Sequence, residues 1–219
     1  MLKIRCSMLH LIMSEPRNKL ARDNNELSES AKSYLIDLYK KNTTGFDSFK
    51  GNKYTEKGHL CEDESIVNSS VLDNEFYFKN TDYRENKWIC GTCDVDSDKI
   101  IDIKNSWDIG THPLFRSEAE KKTKNDGYFW QMIGYMWLWH RKQAEIHYWL
   151  NPTPPELLSR YDDEFDHIDR VLMMTLEERR TVDYVDFSWK HVAEIKRKVI
   201  ACRKFYAELE AERNIKEVA

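Results

Sequence analysis

Two short strand-like runs, residues 87–95 and 99–104, separated by the polar turn Asp96-Ser97-Asp98, constrain this chain more than any other feature. Segments this rich in β-branched and aromatic residues on either side of a turn read as a hairpin. Side chains alternate across a strand, so Asp102 and Lys104 project to one face and Ile103 to the other. Asp94, at the end of the neighbouring strand, is predicted to join them. Two carboxylates converging beside the Ile103 carbonyl make an all-oxygen site suited to Mg²⁺, with Mn²⁺ as a substitute. Such a centre activates water, and a second ion steadies the oxygen that departs from phosphorus. Lys104 would orient or help deprotonate that water, or stabilise charge building on the phosphoryl oxygens. An isolated acid-x-lysine is also what a solvated strand face with an ion pair looks like, so the neighbouring elements carry the decision.

Those elements alternate between helix and strand. A helix is predicted to start within Leu27-Ser28-Glu29-Ser30-Ala31 and end near Lys41, its apolar face formed by Ala31, Leu35 and Leu38 with Tyr34 and Tyr39. A loop over 42–57 then leads into a second helix that includes Glu62 and Ile66. Residues 128–140 read as a helix and 144–150 as a strand, which the prolines of Asn151-Pro152-Thr153-Pro154-Pro155 stop. An acidic helical stretch, a strand at 181–187 and a long last helix from about 188 follow. This order predicts an α/β fold, a central mixed β-sheet flanked by helices, in a single domain over 1–219 with a C-terminal helical extension.

The formal net charge of -4 does not by itself exclude a polyanionic partner, because the charge is unevenly spread. Residues 1–60 carry 11 Lys or Arg against 7 Asp or Glu, whereas residues 156–186 carry 4 against 10. Bound cations also reverse the local sign of an acidic site. No apolar run approaches the roughly 20 residues that span a bilayer, and five scattered cysteines suit a reducing compartment. The expectation is a cytoplasmic protein without a membrane contact.

Gly91-Thr92-Cys93-Asp94, Ile100-Ile101-Asp102-Ile103-Lys104 and Gln131-x-x-x-Tyr135 together resemble the RecB-type branch of the PD-(D/E)XK nucleases, a restriction-endonuclease-like core. Phage exonucleases of the lambda exonuclease and YqaJ type are similar. The resemblance implies a Mg²⁺-dependent exonuclease acting on double-stranded DNA ends, 5′ to 3′, in phage recombination. It also implies a single-strand annealing protein as partner and a homo-oligomer. An upstream helix supplies a further acidic metal ligand in that family, and Lys57-Gly58-His59-Leu60-Cys61-Glu62 matches it, with Glu62 as the carry-over and Glu64 as the competitor. Lys3-Ile4-Arg5-Cys6-Ser7 resembles the region that holds a terminal 5′ phosphate, which implicates Arg5 and Ser7. Gln131 and Tyr135 would contact the attacking water or the DNA backbone. Two departures stand out: Cys93 replaces the motif's proline, and Asp102 stands where glutamate is commoner. Neither removes an oxygen ligand.

Other readings of the same residues stay open. Gln131 and Tyr135 lie on a helix apolar nearly all round and could simply pack. Cys90-x-x-Cys93 with His59 and Cys61 has zinc-ligand chemistry, while an iron–sulfur cluster is not expected, since Cys202 is the one C-terminal cysteine. Trp130, Trp137, Trp139 and Trp149 could stack bases or fill a core. Lys121, Lys122 and Lys124 could follow a phosphate backbone or solvate a loop. A non-catalytic DNA-binding or assembly protein, a structure-specific endonuclease and an RNA nuclease remain the alternative functions.

Overall fold

The structure is a computed structural model and describes residues 1–218. The chain opens with β1 (Ile4–Arg5), a 3₁₀ turn and two short helices, α1 (Leu9–Met13) and α2 (Lys19–Asp23). Helix α3 (Glu29–Thr44) begins within the predicted start segment, where Ser28 Oγ accepts from the Ala31 N–H, and ends at Gly45 with φ 73°. Glycine takes that left-handed turn at no steric cost. The predicted loop over 42–57 is shorter than expected, because Asn52 accepts from the Tyr54 and Thr55 N–H groups and starts α4 (Lys53–Asp73) early.

The predicted hairpin is the part that differs most. Its first run divides between two sheets. β2 (Arg84–Glu85) and β3 (Ile89–Gly91) join β1 in a three-stranded sheet of order β1-β3-β2, whereas β4 (Val95–Asp96) pairs antiparallel with β5 (Ile100–Asn105). The second sheet continues through β6 (Gln143–Trp149), parallel to β5, and β7 (Arg180–Asp186), antiparallel to β6. Two mixed sheets therefore replace the one expected. The crossing falls at Cys93 and Asp94, where Asn80 Nδ2 donates to the Cys93 carbonyl at 2.9 Å and the Asn80 N–H donates to the Asp94 carbonyl at 2.7 Å. These bonds satisfy backbone groups that a continuous strand would have paired.

Helices α5 (Arg116–Asn125) and α6 (Tyr128–Trp139) follow β5, so Lys121, Lys122 and Lys124 lie on a helix and not on a loop. The acidic stretch contracts to a π-helical turn and the three-residue α7 (Arg170–Leu172), and Asp162 ahead of them accepts from the Ser159 N–H at 2.9 Å and pairs with the distant Lys53 of α4 at 3.0 Å. The last helix is α8 (Trp189–Val218).

Alternation along β5 distributes the core. Ile100 packs with Leu9, Met132, Met136, Ile146 and Tyr148 on the α6 side, while Ile101 and Ile103 pack with Ile66, Tyr77 and Trp149 on the α4 side. Val192, Ile195, Val199 and Cys202 of α8 belong to the larger cluster, so this helix is part of the core it was expected to extend. Among the described residues, no helix is long and apolar enough to cross a membrane.

Candidate active site

Asp102 is fully buried, and the structure surrounds it with the residues that the motif singles out. Gln131 Nε2 donates to its Oδ1 at 2.9 Å, Lys104 Nζ lies 2.5 Å from its Oδ2, and Gln131 Nε2 also lies 3.4 Å from the Tyr135 hydroxyl. Gln131 thus finds the partner that a polar side chain on a buried helix requires. Tyr135 packs closely too: a Cβ added at Gly91 would lie 3.0 Å from its ring, so glycine at 91 lets α6 approach the strand. Tyr128 opens the same helical face, three residues before Gln131, and its ring centroid lies 4.8 Å from Lys104 Nζ.

Asp94 is half-buried and its Oδ2 accepts from the Ile103 N–H at 2.8 Å. That donor is free because β4 covers β5 only as far as Ile101. A strand residue's N–H and C=O point to one edge, so the Ile103 carbonyl faces Asp94 as well. The motif's spacing had suggested only that carbonyl; the amide anchoring Asp94 is an addition, legible once β4 is known to end at Asp96.

The electrostatics are those of crowded carboxylates. Burial and then the Asp102 charge push the Asp94 carboxyl up to about 7, against the pull of Lys104. Burial likewise raises Asp102, opposed by Lys104. Burial disfavours the Lys104 ammonium, but Asp102 and Asp94 outweigh it and hold the lysine above its usual range. Glu62 is half-buried on α4 and its charge acts on both aspartates, yet its carboxylate is turned to Lys79 at 3.1 Å. Glu64, the competing glutamate, is exposed two residues further along α4. A hard divalent cation fits this donor set: Asp102 Oδ2 is buried without an aligned hydrogen bond, the Asp94 carboxylate stands beside it, and every available donor is oxygen.

Arg5 and Ser7 do not touch these groups. Arg5 is exposed on β1, and its charge acts on Tyr34 and Asp47, while Ser7 is half-buried in the 3₁₀ turn beside it. Cys6 between them packs against Gly91 and Gly134 and ties the segment to β3 and α6. Cys90 and Cys93 are buried free thiols that form no ligand group with His59 and Cys61 among the described residues. Trp139 and Trp149 are buried, and Trp130 and Trp137 are partly buried against the larger core, so these four contribute to packing.

One group of potential ligands escaped the sequence reading: Asp73, Glu145 and His147, on the α4 side of the sheet. Its charges are already matched. Arg180 lies 2.6 Å from Asp73, Lys99 lies 2.9 Å from Glu145, and His147 bonds Glu145 at 2.9 Å and Ser69 at 2.8 Å. Only the odd-numbered register of β6, facing α4 with Trp149, could have signalled it.

No protein-family profile matches the chain, and no curated protein does. Solved structures do. A phage-related exonuclease from Haemophilus somnus 129PT is 42% identical, with a TM-score of 0.92 over 97% of this chain and 96% of that one. The alkaline exonuclease LHK-Exo from Laribacter hongkongensis, alone and in complex with dAMP, is 16% identical with TM-scores of 0.62 and 0.63, over 99% of this chain and 95% of its own, and shares the fold. Identity of 42% across nearly all of both chains reaches beyond fold to kinship, and the chain belongs to the phage-related exonucleases of the lambda exonuclease and YqaJ type.

Proposed function

We propose that this chain is a Mg²⁺-dependent exonuclease that hydrolyses DNA phosphodiesters from duplex ends, 5′ to 3′, with a PD-(D/E)XK centre made of Asp94, Asp102 and Lys104. The observation that carries the reading is the buried Asp102, bonded by Gln131 at 2.9 Å and flanked by Lys104 at 2.5 Å, beside an Asp94 anchored on the Ile103 amide. A carboxylate this deeply buried, aimed at an ammonium and a second acid, is costly as mere structure. It is what a site for phosphoryl transfer requires.

Asp94, Asp102 and the Ile103 carbonyl would hold the cation, joined by Glu62 once it leaves Lys79. That exchange is cheap, since Lys79 is 47% exposed and an exposed ion pair is worth ~0–1 kcal/mol. A cation held by these residues would supply Lewis acidity, lowering the pKa of a bound water and offsetting charge at phosphorus. Gln131 fixes Asp102 through Oδ1, and Oδ2, which Lys104 contacts at 2.5 Å, would serve the cation as the ammonium turns to the phosphoryl oxygens. Lys104, held charged by both aspartates, supplies positive charge to the phosphoryl oxygens and does not serve as a base. Arg5 and Ser7 would receive the terminal 5′ phosphate, and a deoxynucleotide product suits the site of a chain whose fold relative LHK-Exo binds dAMP. The same reading places the chain in phage recombination, as a homo-oligomer that passes its product strand to a single-strand annealing protein.

The test is degradation of linear and covalently closed duplex DNA in Mg²⁺, with 5′ and 3′ end labels. Loss of linear DNA alone, with 5′ label released first and activity abolished by EDTA, is the expected result. Lys104→Ala should lower kcat by about 10²–10³-fold. Cutting of closed circles would point to an endonuclease, and DNA binding without cleavage to an assembly protein.

A further inference from the structure

Lys121 and Lys122 have no part in the centre described above, yet they line a crevice of about 270 Å³ with Asn125 on one wall and the turn Gly110-Thr111-His112-Pro113 on the other. The turn is held from within. Asp108 Oδ1 accepts from the Thr111 N–H and hydroxyl, each at 2.8 Å, and Thr111 Oγ1 accepts from the Asp108 N–H at 3.0 Å. The crevice's carboxylates are already engaged: Glu118 accepts from the Leu114 and Phe115 N–H groups, and Asp126 pairs with Lys122 at 3.3 Å. Lys121 has no carboxylate partner among the described residues.

An independent sign of a ligand comes from His112, which is 5% exposed. Its Nδ1 lies 3.3 Å from Ser106 Oγ, and its Nε2 is buried without a partner. Among the described residues the Ser106 hydroxyl has no other hydrogen-bond acceptor, which favours its donating to Nδ1 and the tautomer with the ring proton on Nε2. Burial keeps the imidazole neutral, with its pKa pushed down to about 4. Nε2–H is therefore a lone buried donor on a residue that lines the crevice, at a cost of ~1–3 kcal/mol while unsatisfied.

Position relates this crevice to the catalytic face. The Ser106 N–H donates to the Trp149 carbonyl at 2.8 Å, which extends the β5 ladder, so Ser106 follows Asp102 and Lys104 on the same face. Two residues of strand advance ~6.6 Å, so Ser106 lies about that far along the strand from Lys104, and the crevice reaches the border of the catalytic face through the His112 that Ser106 contacts.

We propose that it is a subsite for the phosphodiester next along the strand from the one being cut, with Lys121 and Lys122 neutralising that phosphate and His112 Nε2–H donating to one of its oxygens. This rests on the DNA-hydrolysing function proposed above. Two assays separate their fates: anisotropy of a labelled oligonucleotide in EDTA reads binding without turnover, and hydrolysis of the same DNA in Mg²⁺ reads kcat and KM. The Lys121→Ala/Lys122→Ala double variant should bind about tenfold more weakly at physiological salt and flatten the slope of log K against log salt by about one. It should also raise KM with kcat unchanged. His112→Phe should raise KM and leave the salt slope alone, because the lost group is neutral. An unchanged salt slope and KM in the double variant, whose lysines lie on the surface of α5, would overturn the subsite and leave the nuclease function standing. Absence of hydrolysis by the wild-type protein would remove that function and the subsite with it.

Discussion

Asp102 has no exposure, so its neighbours alone decide whether it carries charge. Gln131 and Lys104 favour the carboxylate, while burial and the acids around it oppose it. The imbalance shows most clearly at Asp94, whose carboxyl is raised from 3.8 to about 7. A group raised in this way favours folding below its unfolded value, and that contribution is lost as pH rises through the folded one. Asp94→Asn keeps an oxygen for the Ile103 N–H and removes the ionisation. It should raise the Tm of the metal-free protein by a few degrees at pH 8, with the gain fading toward pH 4. Calorimetry in EDTA checks this, and a gain independent of pH would contradict it. Gln131→Leu should lower kcat by about tenfold with little change in KM, since Gln131 bonds Asp102 at 2.9 Å and acts through it. The shared face of Asp102 and Lys104 was legible from strand alternation, whereas Gln131 came from the family resemblance, with helical spacing adding only that it shares a face with Tyr135. Tyr128 was equally legible, three residues before Gln131, but its ring reads as one more apolar residue in an aromatic run. The Ile103 amide could not be read, because backbone donors look alike until the partner strand's end is known.

Helices α3, α4 and α6 and strands β6 and β7 followed from local pattern and, for α3, a start signal that includes Ser28, although α3 was expected to end near Lys41 and runs on to its cap at Gly45. The missed elements lacked those signals. Helix α5 buries only Ala119 and Thr123, so no apolar stripe announces it, and α1 is five residues long. The division of residues 87–95 between two sheets depends on Asn80, a long-range partner invisible to local pattern. Close packing of α1 and the N-terminal turn on α6 rests on Gly134, where an added Cβ would meet Leu9 Cδ1 at 2.7 Å and Cys6 Sγ at 2.9 Å. Gly134→Ala should cost ~1–3 kcal/mol in urea denaturation, since a packed core resists an added methyl. A neutral result would mean that α1 moves freely on α6.

Taken across the chain, the catalytic face depends on parts far from it in sequence. Helix α8 lends Val192, Ile195, Val199 and Cys202 to the larger core, and Arg203 bonds the Leu2 carbonyl at 3.0 Å. Each buried apolar side chain contributes ~1.5–3 kcal/mol, so the four together rival the ~5–15 kcal/mol by which a whole domain is stable. A chain ending at residue 188 should show no cooperative thermal transition. The larger claim is that Asp94, Asp102 and Lys104 form one cation-dependent hydrolytic centre, and the measurement that tests it most directly is the initial rate of linear duplex degradation against Mg²⁺ concentration, for wild type and Asp102→Asn. A saturable rise in the wild type and a rate at background throughout in the variant is the predicted result. Undiminished degradation by Asp102→Asn, or by wild type in EDTA, would contradict it.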